Sequence, residues 1–124
     1  MPVFSRVKDD VLTLTVDGDY TPNEIRRVAF QAFESAQLAH PMPILLDMSG
    51  AAGLGLKSSE DLQATGAIFG AYRDRIRGIG VVVSPDLNGL FTPEAELVRE
   101  AGVPVRACQS HADARAWLSG GATS

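Results

Sequence analysis

The stretch Asp47-Met-Ser-Gly-Ala-Ala-Gly-Leu-Gly-Leu-Lys-Ser-Ser-Glu-Asp61 decides how this chain is read. It follows the apolar run Ile44-Leu45-Leu46 and precedes a helical pattern, so it reads as a strand, a glycine-rich turn and a helix N-terminus. Such a junction sets the Asp47 carboxylate at a strand end, where open α/β sheets place their ligands. It also sets the hydroxyls of Ser58 and Ser59 at the positive end of a helix. There they can cap the helix, accept a phosphoryl group or help hold an anion.

Working outward, Val11-Leu-Thr-Leu-Thr-Val16 alternates Leu12, Leu14 and Val16 against Thr13 and Thr15, the period of a half-buried strand. A shorter strand near Val3 to Val7 precedes it, and Lys8-Asp9-Asp10 supplies turn chemistry for a hairpin. Thr21-Pro22-Asn23-Glu24 combines an N-cap, a first-turn proline and a capping-box glutamate. Ile25, Val28, Ala29, Ala32, Phe33 and Ala36 then form one apolar stripe, and the helix ends before Pro41 and Pro43.

After the strand at Ile44 to Met48 and the glycine loop, a second helix is expected from about Ser59 to Ile76. Arg77-Gly-Ile-Gly-Val-Val-Val-Ser84 reads as a central strand covered on both faces. A third helix opens at Thr92-Pro93-Glu94, with Gly102 as its C′ residue. Val103-Pro-Val-Arg-Ala-Cys108 is a last strand, placed at an edge by Pro104. Ser110-His-Ala-Asp113 is a second capping box, opening a short helix through Trp117 and Leu118. The order ββαβαβαβα predicts one α/β domain over 1–118, with a mixed, mostly parallel sheet of about five strands and four helices. The tail 119–124 is expected to be disordered.

The 124 residues fit one domain, and 45% hydrophobic with 21% charged residues is ordinary for a globular protein. A net charge of −4 argues against nucleic acid and against a polybasic membrane contact. No apolar signal core and no membrane span are visible, so a cytoplasmic location is expected. Cys108 is the single cysteine, which excludes an intrachain disulfide and a thiolate metal cluster.

The glycine loop approaches a phosphate-binding pattern, but Leu56 separates Gly55 from Lys57 where that motif needs glycine and lysine adjacent. Ser58 with Asp61 has capping-box spacing. His40 and His111 have no Cys, Asp or Glu at metal-ligand spacing, and no nucleophile, base and orienting group can be assembled. Neither a metal, a cofactor nor catalysis is expected. Arg73, Arg75 and Arg77 fall at a helix C-terminus, which favours cations in any case. Cys108, Phe30, Phe69, Tyr72 and Trp117 read as core or edge residues.

The order of elements and the Asp47 region together resemble the STAS domains, the anti-sigma-factor antagonists and their SpoIIAA-like relatives. The resemblance runs from Val11 to Leu118. Asp47-Met48-Ser49-Gly50 matches the family's Asp-x-Ser-Gly strand end, and Lys57-Ser58-Ser59-Glu60 aligns with its Asp-Ser-Ser/Thr-Gly helix start. Arg75 to Val83 looks like the later family strand, and Ala114 to Leu118 like its closing helix. The resemblance places Ser58 on the serine that a partner kinase phosphorylates in the antagonists. Lys57 and Glu60 stand where that motif has Asp and Gly, which moves the chain towards the SpoIIAA-like, STAS/CRAL-TRIO-related group.

What the resemblance implies is a bacterial, non-catalytic regulatory module that binds another protein, for instance an anti-sigma kinase, and that can pair with itself. Its contact residues would be Asp47, Ser49, Lys57, Ser58, Ser59 and Leu62. A CRAL-TRIO relationship implies instead a module for a lipid or other small apolar ligand. Anion or nucleotide binding at the glycine loop is the remaining alternative.

Overall fold

The computed structural model describes residues 3–8, 11–34, 41–52, 64, 67–83, 99–100 and 102–120. Five strands form one sheet in the order β1-β2-β3-β4-β5: Val3–Lys8, Val11–Asp19, Met42–Ala52, Ile76–Val82 and Val105–Cys108. The β1–β2 hairpin is antiparallel and every later pair is parallel, as the alternation of strand and helix signals requires. Two α-helices have defined bounds, α1 (Pro22–Phe33) and α2 (His111–Ser119). A 3-10 turn, Arg73–Arg75, leads into β4. Residues 64, 67–71 and 99–100 are also helical.

Helix α1 forms where its sequence says it should. Thr21 accepts from the Glu24 amide and Glu24 reaches back to the Thr21 amide, the complete reciprocal cap. Its apolar stripe, Ile25, Val28, Ala29, Ala32 and Phe33, is buried against one face of the sheet. That face supplies Leu12, Leu14, Val16, Ile44, Leu46, Met48, Ile79 and Val81. Side chains this size are each worth about 1.5–3 kcal/mol when taken out of water. Tyr72 closes the cluster by stacking on Phe33, ring centroids 4.5 Å apart.

The opposite face holds a smaller cluster of Leu45, Val82, Cys108, Ala114 and Leu118, with Val11 and Trp117 at its margin. Here α2 approaches β4 very closely. A Cβ built on Gly80 would meet the Ala114 Cβ at 3.0 Å, so glycine and alanine together set the helix–sheet distance.

Several boundaries differ from the sequence expectations. Strand β3 runs on to Ala52 instead of stopping near Met48, because β2 itself continues to Asp19 and offers it a partner at Asp17, Gly18 and Asp19. The second helix does not reach Ile76: Arg73–Arg75 tighten into the 3-10 turn and Ile76 is already paired with Met42. Arg75 does not neutralise its own helix end. Its Nη1 reaches the Phe33 carbonyl at 3.4 Å and the Glu34 carboxylate at 3.6 Å, capping the end of α1 instead. Phe30 is exposed, not in the core. Ser119 is the last residue of α2, whose C-cap is Gly120, and 121–124 lie outside the described residues.

Candidate functional site

Asp47 stands at the C-terminal rim of the sheet. It pairs with Thr15 of β2 on one side and with Val82, the last residue of β4, on the other. Beyond it β3 is flanked by β2 alone, so the next residues emerge onto the rim. The register also slips here. From Thr15↔Asp47 to Asp17↔Gly50, β2 advances two residues and β3 three, which is a β-bulge.

A bulge leaves an amide without a ladder partner, and the Asp47 side chain takes it. Ser49 N donates to Asp47 Oδ1 at 2.9 Å, and Ser49 Oγ donates to the same oxygen at 2.6 Å. Gly50 completes the motif. A Cβ there would lie 3.1 Å from Asp17 Oδ1 and 3.3 Å from the Val16 carbonyl, so a larger residue would have to push Asp17 or β2 back by a few tenths of an ångström, and glycine spares the bulge that shift. The Asp-x-Ser-Gly pattern therefore has a local structural cause.

The second carboxylate oxygen reaches across the rim. His111 Nε2 lies 2.6 Å from Asp47 Oδ2, although the two residues are 64 positions apart in sequence. The carboxylate accepts, so Nε2 carries the proton and Nδ1 is the ring nitrogen turned away from it. His111 is the first residue of α2. Ser110, its N-cap, accepts from the Asp113 amide at 3.1 Å. The carboxylate thus meets the positive end of a helix as well as an imidazole. Burial pushes the Asp47 carboxyl up, but the hydrogen bonds from Ser49 and His111, with the charge of His111, together hold it below its ordinary value. The Asp47 side chain is 14% exposed and that of His111 47%.

This Asp47–His111 contact is the feature that local sequence reading missed. A signal was present: α2 follows β5, so its first residue must lie at the C-terminal ends of the parallel strands, where Asp47 also ends its pairing with β4. Of the expected site residues, the structure brings Asp47 and Ser49 together. Lys57, Ser58, Ser59 and Leu62 lie outside the described residues. Cys108 is buried behind the rim, its thiol pushed up by burial. Among the described residues, no three His, Cys, Asp or Glu side chains are grouped to hold a metal ion, and no helix is long and apolar enough to cross a membrane.

No family model and no curated protein matches the sequence. A solved structure does. The chain is similar to an uncharacterized protein of the DUF3478 family with a SpoIIAA-like fold from Shewanella loihica PV-4. The TM-score is 0.64 at 15% identity, covering 94% of this chain and 91% of that one. The fold is SpoIIAA-like, of the STAS type, as the Asp47 motif and element order implied.

Proposed function

We propose that this chain is a non-catalytic regulatory module that binds another protein through the C-terminal rim of its sheet, around Asp47, Ser49 and the start of α2. The observation that carries this reading is the commitment of the Asp47 carboxylate. Both its oxygens are engaged by the fold's own donors, one by Ser49 and the other by His111. A hydroxyl activated for attack gives its proton to a histidine that a carboxylate orients. Here the carboxylate sits in the middle, and Ser49 and His111 each bond to it rather than to each other. The arrangement ties β3 to α2 and fixes an exposed serine and an exposed imidazole on one rigid edge. The SpoIIAA-like fold adds the general expectation of a STAS-type module. In this reading Lys57, Ser58, Ser59 and Leu62 are further contact residues, with Ser58 the candidate phosphoacceptor.

Site-specific photo-crosslinking in the native cell tests the proposal. A benzophenone amino acid is placed at Ser49, at Ala112 or, as a control on β1, at Arg6. One protein adduct common to Ser49 and Ala112, absent at Arg6 and weakened by Asp47→Ala, is expected. Adducts that are the same at all three positions, or none at the rim, would remove the rim as the contact surface.

A further inference from the structure

The exposed side of α1 carries a second feature, on the other face of the sheet from α2. Asn23, Arg26, Arg27 and Phe30 of α1, with Tyr72 from the segment before β4, line a groove of about 470 Å³. Phe30 is 52% exposed, beside the partly buried ring of Tyr72. Tyr72 is half-buried and held in place by its stack on Phe33, so the apolar floor of the groove is rigid.

The charge is as uneven as the polarity. The chain as a whole carries −4, yet both ionisable side chains lining the groove other than Tyr72 are arginines. Among the described residues, Arg26 and Arg27 form no ion pair. Of the acids on α1 and at its C-cap, Glu24 closes the helix N-terminus and Glu34 pairs with Arg75. Two free guanidinium forks beside an exposed ring suit carboxylates that flank an apolar side chain, because the fork matches a carboxylate with two parallel hydrogen bonds.

We infer that this groove is a docking site for an acidic peptide segment of a partner protein, with one aromatic or large aliphatic side chain between Asp or Glu residues. The apolar side chain packs on Phe30 and Tyr72, and the flanking carboxylates meet Arg26 and Arg27. Longer polyanions fit this face less well. Nucleic-acid binding draws on many phosphate contacts, and anionic membranes attract clusters of about 4–8 basic residues, whereas this face offers two on an acidic chain. The inference is independent of the rim, since it uses another face and other residues.

The test uses the full chain and a fluorescein-labelled synthetic peptide, Glu-Asp-Phe-Asp-Glu, read by fluorescence anisotropy. Saturable binding is expected, with amide chemical shifts moving on α1 and at Tyr72. Phe30→Ala, and separately Arg26→Glu with Arg27→Glu, should each weaken it about tenfold or more, which corresponds to about 1.4 kcal/mol. All three positions are exposed, and an unchanged melting transition checks that the fold is intact. The peptide Glu-Asp-Ala-Asp-Glu should bind more weakly, and Lys-Lys-Phe-Lys-Lys not at all, which tests the inference without altering the protein. No saturation at millimolar peptide, equal binding of the basic peptide, or shifts confined to other faces would overturn it. So would binding of phosphatidylglycerol vesicles or a single-stranded oligonucleotide by Arg26 and Arg27 in place of the peptide.

Discussion

The two faces of the sheet are built on different principles. Under α1, a continuous apolar cluster draws on β1 to β5 and the residues around Phe69 and Tyr72. Under α2 the cluster has five buried residues among the described ones, and the helix is positioned by a glycine–alanine contact and by a polar tie at its first residue. The first face holds the fold by area. The second has the smaller cluster among the described residues but fixes where α2 begins, and that is where the exposed polar groups of the rim are displayed. Stability and display are thus largely separated, with β3 as the element common to both: Ile44, Leu46 and Met48 point one way, Leu45 and Asp47 the other.

Truncations test that separation most severely. Leu14→Ala, in the large cluster, should cost about 2–5 kcal/mol in urea denaturation, and Leu118→Ala, on the buried side of α2, should fall at the low end of that range. If Leu118→Ala proves the more damaging, the division between the faces is wrong. Gly80→Val comes next, at about 1–3 kcal/mol, because the added carbons press on Ala114. Ala114→Gly should recover part of that loss in a double-mutant cycle, and additive effects would show that α2 is not seated on this contact.

Smaller effects refine the picture of the α2 face. Ser110→Ala removes the cap of α2 and should cost about 1 kcal/mol. Thr13→Val should be neutral or stabilising by up to about 1 kcal/mol, since the buried Thr13 hydroxyl has no hydrogen-bond partner among the described residues. A clear loss of stability at Thr13 would mean that the hydroxyl has a partner in solution.

The face under α1 was legible in the sequence and the rim was only half so. Thr21-Pro22-Asn23-Glu24 and the 3,4 spacing after it are local signals, and the structure realises the cap and the stripe as far as Phe33, Ala36 lying outside the described residues. The alternation of Leu12, Leu14 and Val16 likewise marks the side of β2 that faces α1, but not that Thr13 on the other side is buried too. Asp47 and Ser49 could be picked out by spacing, but the end of β3 could not. Small residues after Ser49 read as loop, and only the continued partnership with Asp17 to Asp19 makes them strand. His111 carried a capping signal that masked its second role, because a contact over 64 residues leaves no periodicity to detect. Arg75 is a similar case, its target on α1 being 42 residues away.

The tie at Asp47 also sets a pH dependence. Its carboxyl is lower in the folded chain than the ordinary 3.8, so the stabilisation is complete above that value and is lost as pH falls from about 4 through the lower folded value. Urea midpoints taken from neutral pH downwards should drop over that range, and Asp47→Asn should flatten the drop.

The most direct measurement is an NMR titration of the Asp47 side-chain carboxyl carbon in the native protein, in Ser49→Ala and in His111→Ala. A native midpoint below 3.8 that rises in each variant is expected, because each removes a donor to the carboxylate. A midpoint at or above 3.8 that neither substitution moves would contradict the proposal that the fold itself occupies this carboxylate.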